Sequence, residues 1–211
     1  MARAISDRLI AAGLSRGADG RLRCSWADAS AEYQRYHDVE WGREVRGDVA
    51  LFERLSLEAF QSGLSWITVL RKRESFRSAF AGFDPVQVAS FGDAKIQQLM
   101  ADASIIRNAR KIEATISNAR ALAALWDHQG DQALTKLIWS HAREDLGRPR
   151  IRGDVPAHTP ESTALSTSLK ANGFRFVGPT TMYAAMQACG VVNDHLVDCY
   201  VDATGSRGGG G

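Results

Sequence analysis

Apolar positions recur along this chain at three- and four-residue spacing, the signature of helices with one buried face. Val49, Phe52, Leu55 and Ala59 form one such row. They predict a helix from an N-cap at Asp48 through Ser62, stopped by Gly63. Ser65 stands where it could cap the next helix, which carries Ile67, Leu70 and the basic Arg71-Lys72-Arg73. Asp84-Pro85-Val86-Gln87 joins a cap, a proline at the first helical position and a glutamine at the third. Gly92-Asp93 opens a short helix with Ile96, Leu99 and Met100. After Asp102-Ala103-Ser104-Ile105-Ile106 comes a long helix with Ile112, Ile116, Ala119, Ala123 and Trp126 on one stripe and Gly130 beyond it. Further helices are predicted over 131–146, from Thr159-Pro160-Glu161 to Gly173, and from Thr180 to Cys189 before Gly190. Val, Ile and Tyr never alternate as strands require. The chain is predicted to be all-α. Residues 1–21 read as a flexible extension with little to pack, and 206–211 as a disordered glycine tail.

The stretch from Ser56 to Leu70 carries the densest chemistry. Leu51, Leu55, Glu58 and Ser62 share one helical row, so Glu58 points along a face that begins apolar. A carboxylate there needs a partner or a task. Leu64 sits at the tip of the Gly63 turn and Trp66 just beyond it. An acid, an apolar tip and an aromatic platform suit a flat polar or charged ligand. Read by itself, the stretch is equally a helical hairpin whose Glu58 caps or salt-bridges locally.

Composition changes this picture little. The chain has 211 residues, 45% hydrophobic and 24% charged, enough for one domain or two small lobes. A formal net charge of +2 barely argues for nucleic acid. Local basic clusters are more suggestive: 71–73, then Arg107, Arg110 and Lys111, then Arg148, Arg150 and Arg152. No apolar run reaches the length of a membrane span, and Leu9-Ile10-Ala11-Ala12 is too short for a signal core. A cytoplasmic protein without a membrane partner is expected.

Three cysteines make a disulfide framework a poor expectation. Two of them have histidines at suggestive distances: Cys24 with His37, and His195 with Cys199 on one helical face. Two Cys and two His would make a closed tetrahedral set that pins the first segment to the last. Each member could equally be a buried hydrophobe or a satisfied polar residue. Cys189 reads as core, and His128, His141 and His158 lie without partners in polar ends or loops. The short helix, tight connection and long helix around 93–111 resemble a helix-hairpin-helix, whose backbone N–H groups would hold a phosphate beside Arg107, Arg110 and Lys111. A plain helical turn with a basic surface fits those residues as well.

Several motifs together carry a resemblance. They are Cys24-Ser25-Trp26, Tyr33-x-x-Tyr36-His37-Asp38-x-Glu40-Trp41-Gly42, the Glu58–Leu70 stretch, Gly173-Phe174-x-Phe176-Val177-Gly178, and Met186-Gln187-Ala188-Cys189-Gly190-x-Val192-Asn193-Asp194-His195. In register from about Arg23 to Tyr200, they resemble the bacterial 3-methyladenine DNA glycosylase type I family. The resemblance implies an all-α helix-hairpin-helix glycosylase fold over 22–205. Its terminal lobe would comprise about 22–65 and 155–203, its middle lobe about 66–154. It implies one structural zinc on Cys24, His37, His195 and Cys199. It implies a methyladenine pocket with Glu58 as the acid, Trp66 and Tyr36 as aromatic walls, and Tyr33 and Trp26 lining it; Gln61 is a candidate either to contact a neighbouring base or to orient the turn. Gly63 and Leu64 would meet DNA at the lesion. The departures are Ser25, where a glycine is usual, Ser104 in the hairpin and the N-terminal extension.

On this reading the protein is a monomeric monofunctional hydrolase. It would flip 3-methyladenine out of double-stranded alkylated DNA, release the free base and leave an abasic site uncut. Asp127, at a helix end, reads as a solvent residue rather than a catalytic acid. Two other classes compete. A zinc-stabilised nucleic-acid-binding module without activity would account for the basic clusters but has no use for Glu58 on an apolar row. A helical scaffold would explain neither the Cys/His pairs nor the density of Trp26, Tyr33, Tyr36 and Trp41.

Overall fold

The computed structural model describes residues 9–143 and 147–202. Residues 1–8 of the expected extension, the 144–146 end of the expected 131–146 helix and the expected glycine tail lie outside the described residues. The chain is mostly helical and divides into two units. The first comprises Met1–Glu44, Ala142–Ala157 and Met186–Gly211, the second Val45–His141 and His158–Ala185.

The first unit opens with a feature the sequence reading excluded. Strands β1 (Leu14–Arg16) and β2 (Leu22–Cys24) pair antiparallel, Leu14 opposite Cys24 and Arg16 opposite Leu22. Strands of three residues are too short to display alternation, so periodicity could not have exposed them. Nor does this part of the expected extension lack packing. Leu14 is buried with Cys24, Leu196, Cys199 and Val201 in one apolar cluster, against which Leu9, Ala12 and Trp26 pack. After a 3-10 turn (Ser25–Ala29), Ser30 caps α1 (Ala31–Val39) by accepting from the Tyr33 N–H at 3.2 Å. Gly190 permits the last segment to lie against the 42–44 backbone. A Cβ there would fall 2.7 Å from the carbonyl carbon of Arg43, and its φ is +71°.

The second unit contains α2 (Asp48–Gln61), α3 (Trp66–Ala79), α4 (Pro85–Ala89), α5 (Asp93–Ala101), α6 (Ala109–Gln129), α7 (Ala133–Trp139) and α8 (Pro160–Ala171). Helix α9 (Pro179–Ala188) begins in it. Its core is aromatic: Phe60 packs on Phe76 at 4.5 Å between ring centroids, and Phe80 stacks on Phe83 at 5.6 Å. Asp84 caps α4 as its sequence foretold, and Thr159 and Ser162 form a reciprocal capping box on α8.

Asp48 does not. Gly47 holds the cap position of α2, and the Asp48 carboxylate is buried. It accepts from Trp126 Nε1 at 2.7 Å, from the Leu134 N–H at 3.1 Å and from the Thr135 N–H at 2.8 Å, the last two at the start of α7. It thus satisfies orphan donors of α7 rather than of its own helix. This network ties α2 to α6 and α7. Residues 45–65 therefore belong with the second unit, not with the terminal lobe expected to run to 65. Asn118 on α6 similarly binds both backbone groups of Arg175, which draws 158–185 into the second unit as well.

Candidate active site and metal centre

Cys24, His37, His195 and Cys199 meet in the first unit. All four are buried, and their ligand atoms lie within 4.8 Å of one another. Each histidine has one nitrogen committed elsewhere. His37 Nδ1 is 2.8 Å from Asp38 Oδ1, and His195 Nε2 is 3.1 Å from the Trp41 carbonyl oxygen. Both of those partners accept, so the ring nitrogens facing them carry the protons. His37 Nε2 and His195 Nδ1 therefore turn their lone pairs to Cys199 Sγ, at 3.4 and 3.7 Å. A tetrahedral ion with nitrogen and sulfur ligands at about 2.0–2.3 Å has edges of about 3.5 Å. The donor set, the tautomers and the spacing all fit a closed zinc site. The two thiols share ionisation unequally: their mutual hydrogen bond holds Cys199 far down and pushes Cys24 far up.

Around this set lies support that the sequence reading did not single out. Arg23 is buried, and its guanidinium grips both Asp38 carboxylate oxygens through Nε, with Nη2 adding a bond to Oδ2. The same guanidinium binds Asp19 in the fork geometry, at 2.8 and 2.7 Å. Burial acts to raise Asp38, but hydrogen bonds from Arg23, His37 and Tyr200 outweigh it and keep the carboxylate ionised. A chain of contacts thus runs from Asp19 through Arg23 and Asp38 to the His37 ring. Adjacency to Cys24 and His37 was the available signal for Arg23 and Asp38; Asp19 had none. Arg148, expected in a basic cluster, is spent inward. It donates to the carbonyls of His195, Leu196, Cys199 and Val201, fixing the segment that carries two of the four side chains. Trp26 packs edge-on against Tyr33, His37 and Trp41 and lies tilted 6.4 Å from Tyr36. Tyr33, Tyr36 and Trp26 therefore form an aromatic cluster beside the four Cys and His side chains. Cys189 is core, as expected.

In the second unit, Glu58 lies one turn before the end of α2 and is buried on the apolar row, where its spacing placed it. Loss of hydration pushes its carboxyl up to about 8, with Arg54 opposing in part. Beyond it the chain turns at Gly63, φ +83°, and exposes Leu64. Gln61 Nε2 donates to the Leu64 carbonyl at 2.7 Å, and the Leu64 N–H to the Gln61 carbonyl at 2.7 Å. Gln61 therefore shapes the turn, which the sequence left open. Trp66 begins α3 half-buried. Ser65 holds the cap position, but its hydroxyl pairs with Thr68 Oγ1 instead of a backbone N–H.

The expected phosphate ligands separate. Arg107 and Arg110 are exposed at the start of α6, where Asn108 is the cap. Lys111 is turned inward. Its ammonium donates to the Phe60 carbonyl at 2.8 Å and the Ser62 carbonyl at 2.6 Å, at the C-terminal end of α2. Burial lowers its pKa, but two carbonyl acceptors occupy it. It braces the Gly63-Leu64 turn from beneath, which removes it from the set expected to face DNA. In the 102–108 connection, the Ser104 N–H binds Asp102 Oδ1, and Lys72 donates to the carbonyls of Ala103 and Ser104. The connection is closed without the glycines its sequence lacked.

A family model described as methyladenine glycosylase matches residues 26–202. DNA-3-methyladenine glycosylase 1 of Escherichia coli K12 is 44% identical over 179 residues, covering 84% of this chain and 95% of that protein. A crystal structure of 3-methyladenine DNA glycosylase I has a TM-score of 0.80 at 42% identity and covers 84% of this chain and 98% of its own. A variant of 3-methyladenine DNA glycosylase I, solved in complex with 3-methyladenine, has a TM-score of 0.78 at 31% identity, covering 84% and 96%. With the family model spanning all but the ends and a relative this similar over nearly its whole length, the chain belongs to the methyladenine glycosylase family.

Proposed function

We propose that this chain excises 3-methyladenine from double-stranded alkylated DNA by hydrolysis, and that the buried carboxyl of Glu58 reads the base. The observation that carries the reading is that carboxyl, on an apolar helix face one turn before an exposed, glycine-hinged Leu64. Methylation at N3 makes the nucleotide's base cationic and its glycosidic bond weak. Little acid help is then needed. The electron pair of the breaking N9–C1′ bond returns to the base and neutralises it. Water oxygen bonds to C1′ and loses its proton to solvent. What the protein supplies is extrusion, selection and retention of the base.

Glu58 suits selection. With a pKa near 8 it is mostly neutral at pH 7 in the uncomplexed protein. A cationic base favours the carboxylate, which then accepts a charge-assisted hydrogen bond from the base's N–H edge. Neutral adenine gives no such return. Trp66 stacks on the purine and favours the cation. Leu64 takes the space that the extruded base leaves. Arg107 and Arg110 hold phosphate beside the α6 N-terminus, in the manner of a helix-hairpin-helix. No lysine lies in the 56–70 segment to attack C1′ as a Schiff-base nucleophile, so the reaction leaves the strand uncut. Zinc on Cys24, His37, His195 and Cys199 would supply cross-linking of the chain ends and no chemistry at the base. The protein acts as a monomer in the cytoplasm.

Incubation with alkylated duplex DNA tests the reading. Free 3-methyladenine and abasic strands should accumulate from the wild type, with no borohydride-trapped adduct. Wild-type protein that binds the DNA and releases no base would instead favour the binding-module reading.

A further inference from the structure

Phe176 is a bulky side chain in the left-handed backbone region, with φ +56°. Such residues are uncommon and persist only where the surroundings over-determine them. Here they do. Phe174 and Val177 are buried on either side. Between them the Asn118 amide donates to the Arg175 carbonyl at 3.0 Å and accepts the Arg175 N–H at 2.7 Å. The result is a fixed loop that holds the Phe176 ring 39% exposed, with the exposed Arg175 beside it. Folding alone gives no reason to strain a backbone and then leave its phenyl ring in water.

Asn118 lies seven residues after Lys111 on α6, nearly two full turns, so both point from one face of that helix about 10 Å apart. Lys111 braces the turn that exposes Leu64 at 40%; Asn118 braces the loop that exposes Phe176 at 39%. One helix face therefore fixes two loops, each ending in an exposed apolar tip. Their braces are separated by about three base-pair steps of 3.4 Å. The basic Arg107 and Arg110 open the same helix.

We propose that the 173–178 loop is a second DNA-contacting element, in which Phe176 packs on the duplex a few steps from Leu64 while Arg175 pairs with a phosphate. The proposal rests on the duplex-DNA reading given above. Its test is binding of a duplex with one abasic site, measured by fluorescence anisotropy, beside binding of free 3-methyladenine. Phe176→Ala should weaken duplex binding by about five- to thirty-fold, as loss of one stacking contact does elsewhere. It should leave affinity for the free base and the melting temperature unchanged. Phe176→Trp should restore duplex binding, because any aromatic face can stack. Arg175→Gln should weaken duplex binding less and flatten its salt dependence by about one phosphate contact. Equal duplex affinity for wild type and Phe176→Ala, with Leu64→Ala impaired, would overturn the proposal and leave the excision reading intact. Failure of the wild type to release 3-methyladenine would overturn that reading instead.

Discussion

The recognition proposed for Glu58 would depend on pH through its buried carboxyl. Its carboxyl titrates at about 8 in the folded chain and near 4.5 when exposed. Between those values the folded state holds a proton that the unfolded chain has lost. The contribution of Glu58 to stability is therefore full below pH 4.5 and falls as pH rises to about 8, by a few kcal/mol at most. Urea denaturation of wild type and Glu58→Gln at pH 5 and pH 8.5 should show a difference favouring the variant only at the higher pH. The same substitution should abolish most excision while the protein retains its fold and metal; undiminished release of 3-methyladenine would remove Glu58 from the mechanism. The burial of Glu58 was legible in its spacing from Leu51 and Leu55. Its protonation was not, because that depends on which groups from other elements approach it.

At the scale of the element, the α2–turn–α3 segment is shaped by a side chain from α6. Lys111 was read as a phosphate ligand because it follows Arg107 and Arg110. Its position on the buried stripe with Ile112 and Thr115 was visible only once the helix had a neighbour. Lys111→Met should lower excision from duplex DNA by about 10- to 100-fold, since small misplacements of positioned groups cost that much. The slope of log affinity against log salt should stay at its wild-type value, whereas Arg107→Gln and Arg110→Gln should each reduce it by about one. A reduced slope for Lys111→Met would return it to the phosphate ligands. Helix boundaries at Asp84, Thr159 and Gly63 could be read directly, because caps and glycine stops are local chemistry. The β1–β2 hairpin could not, because its reason is the burial of Leu14 against residues near 196–201.

For the whole molecule, the Cys24, His37, His195 and Cys199 cluster joins segments 162 residues apart. The sequence offered two ligand pairs and no means of joining them; the resemblance supplied the link. Purified protein should carry about one equivalent of zinc. Cys199→Ser should lose it and melt roughly 10 °C lower, the shift for a few kcal/mol at about 2–4 °C each. Metal analysis and calorimetry on the same sample check this. A zinc content that the substitution leaves unchanged would place the metal elsewhere. Asp38→Asn should bind zinc more weakly than wild type in a chelator competition, because a neutral amide replaces the charged acceptor that holds the His37 tautomer.

The span between those ligands also orders events during translation. Cys24 and His37 leave the ribosome long before His195 and Cys199 exist, and synthesis runs at roughly 5–20 residues per second. For several seconds the nascent chain presents two of the four side chains and a β1–β2 hairpin with nothing to cover Leu14. Capture of an ion by these four side chains would then be among the last steps of maturation. A chain that stops short of Cys199 would lack the fourth side chain, and its first segment should be cleaved faster by an added protease than that of the full chain.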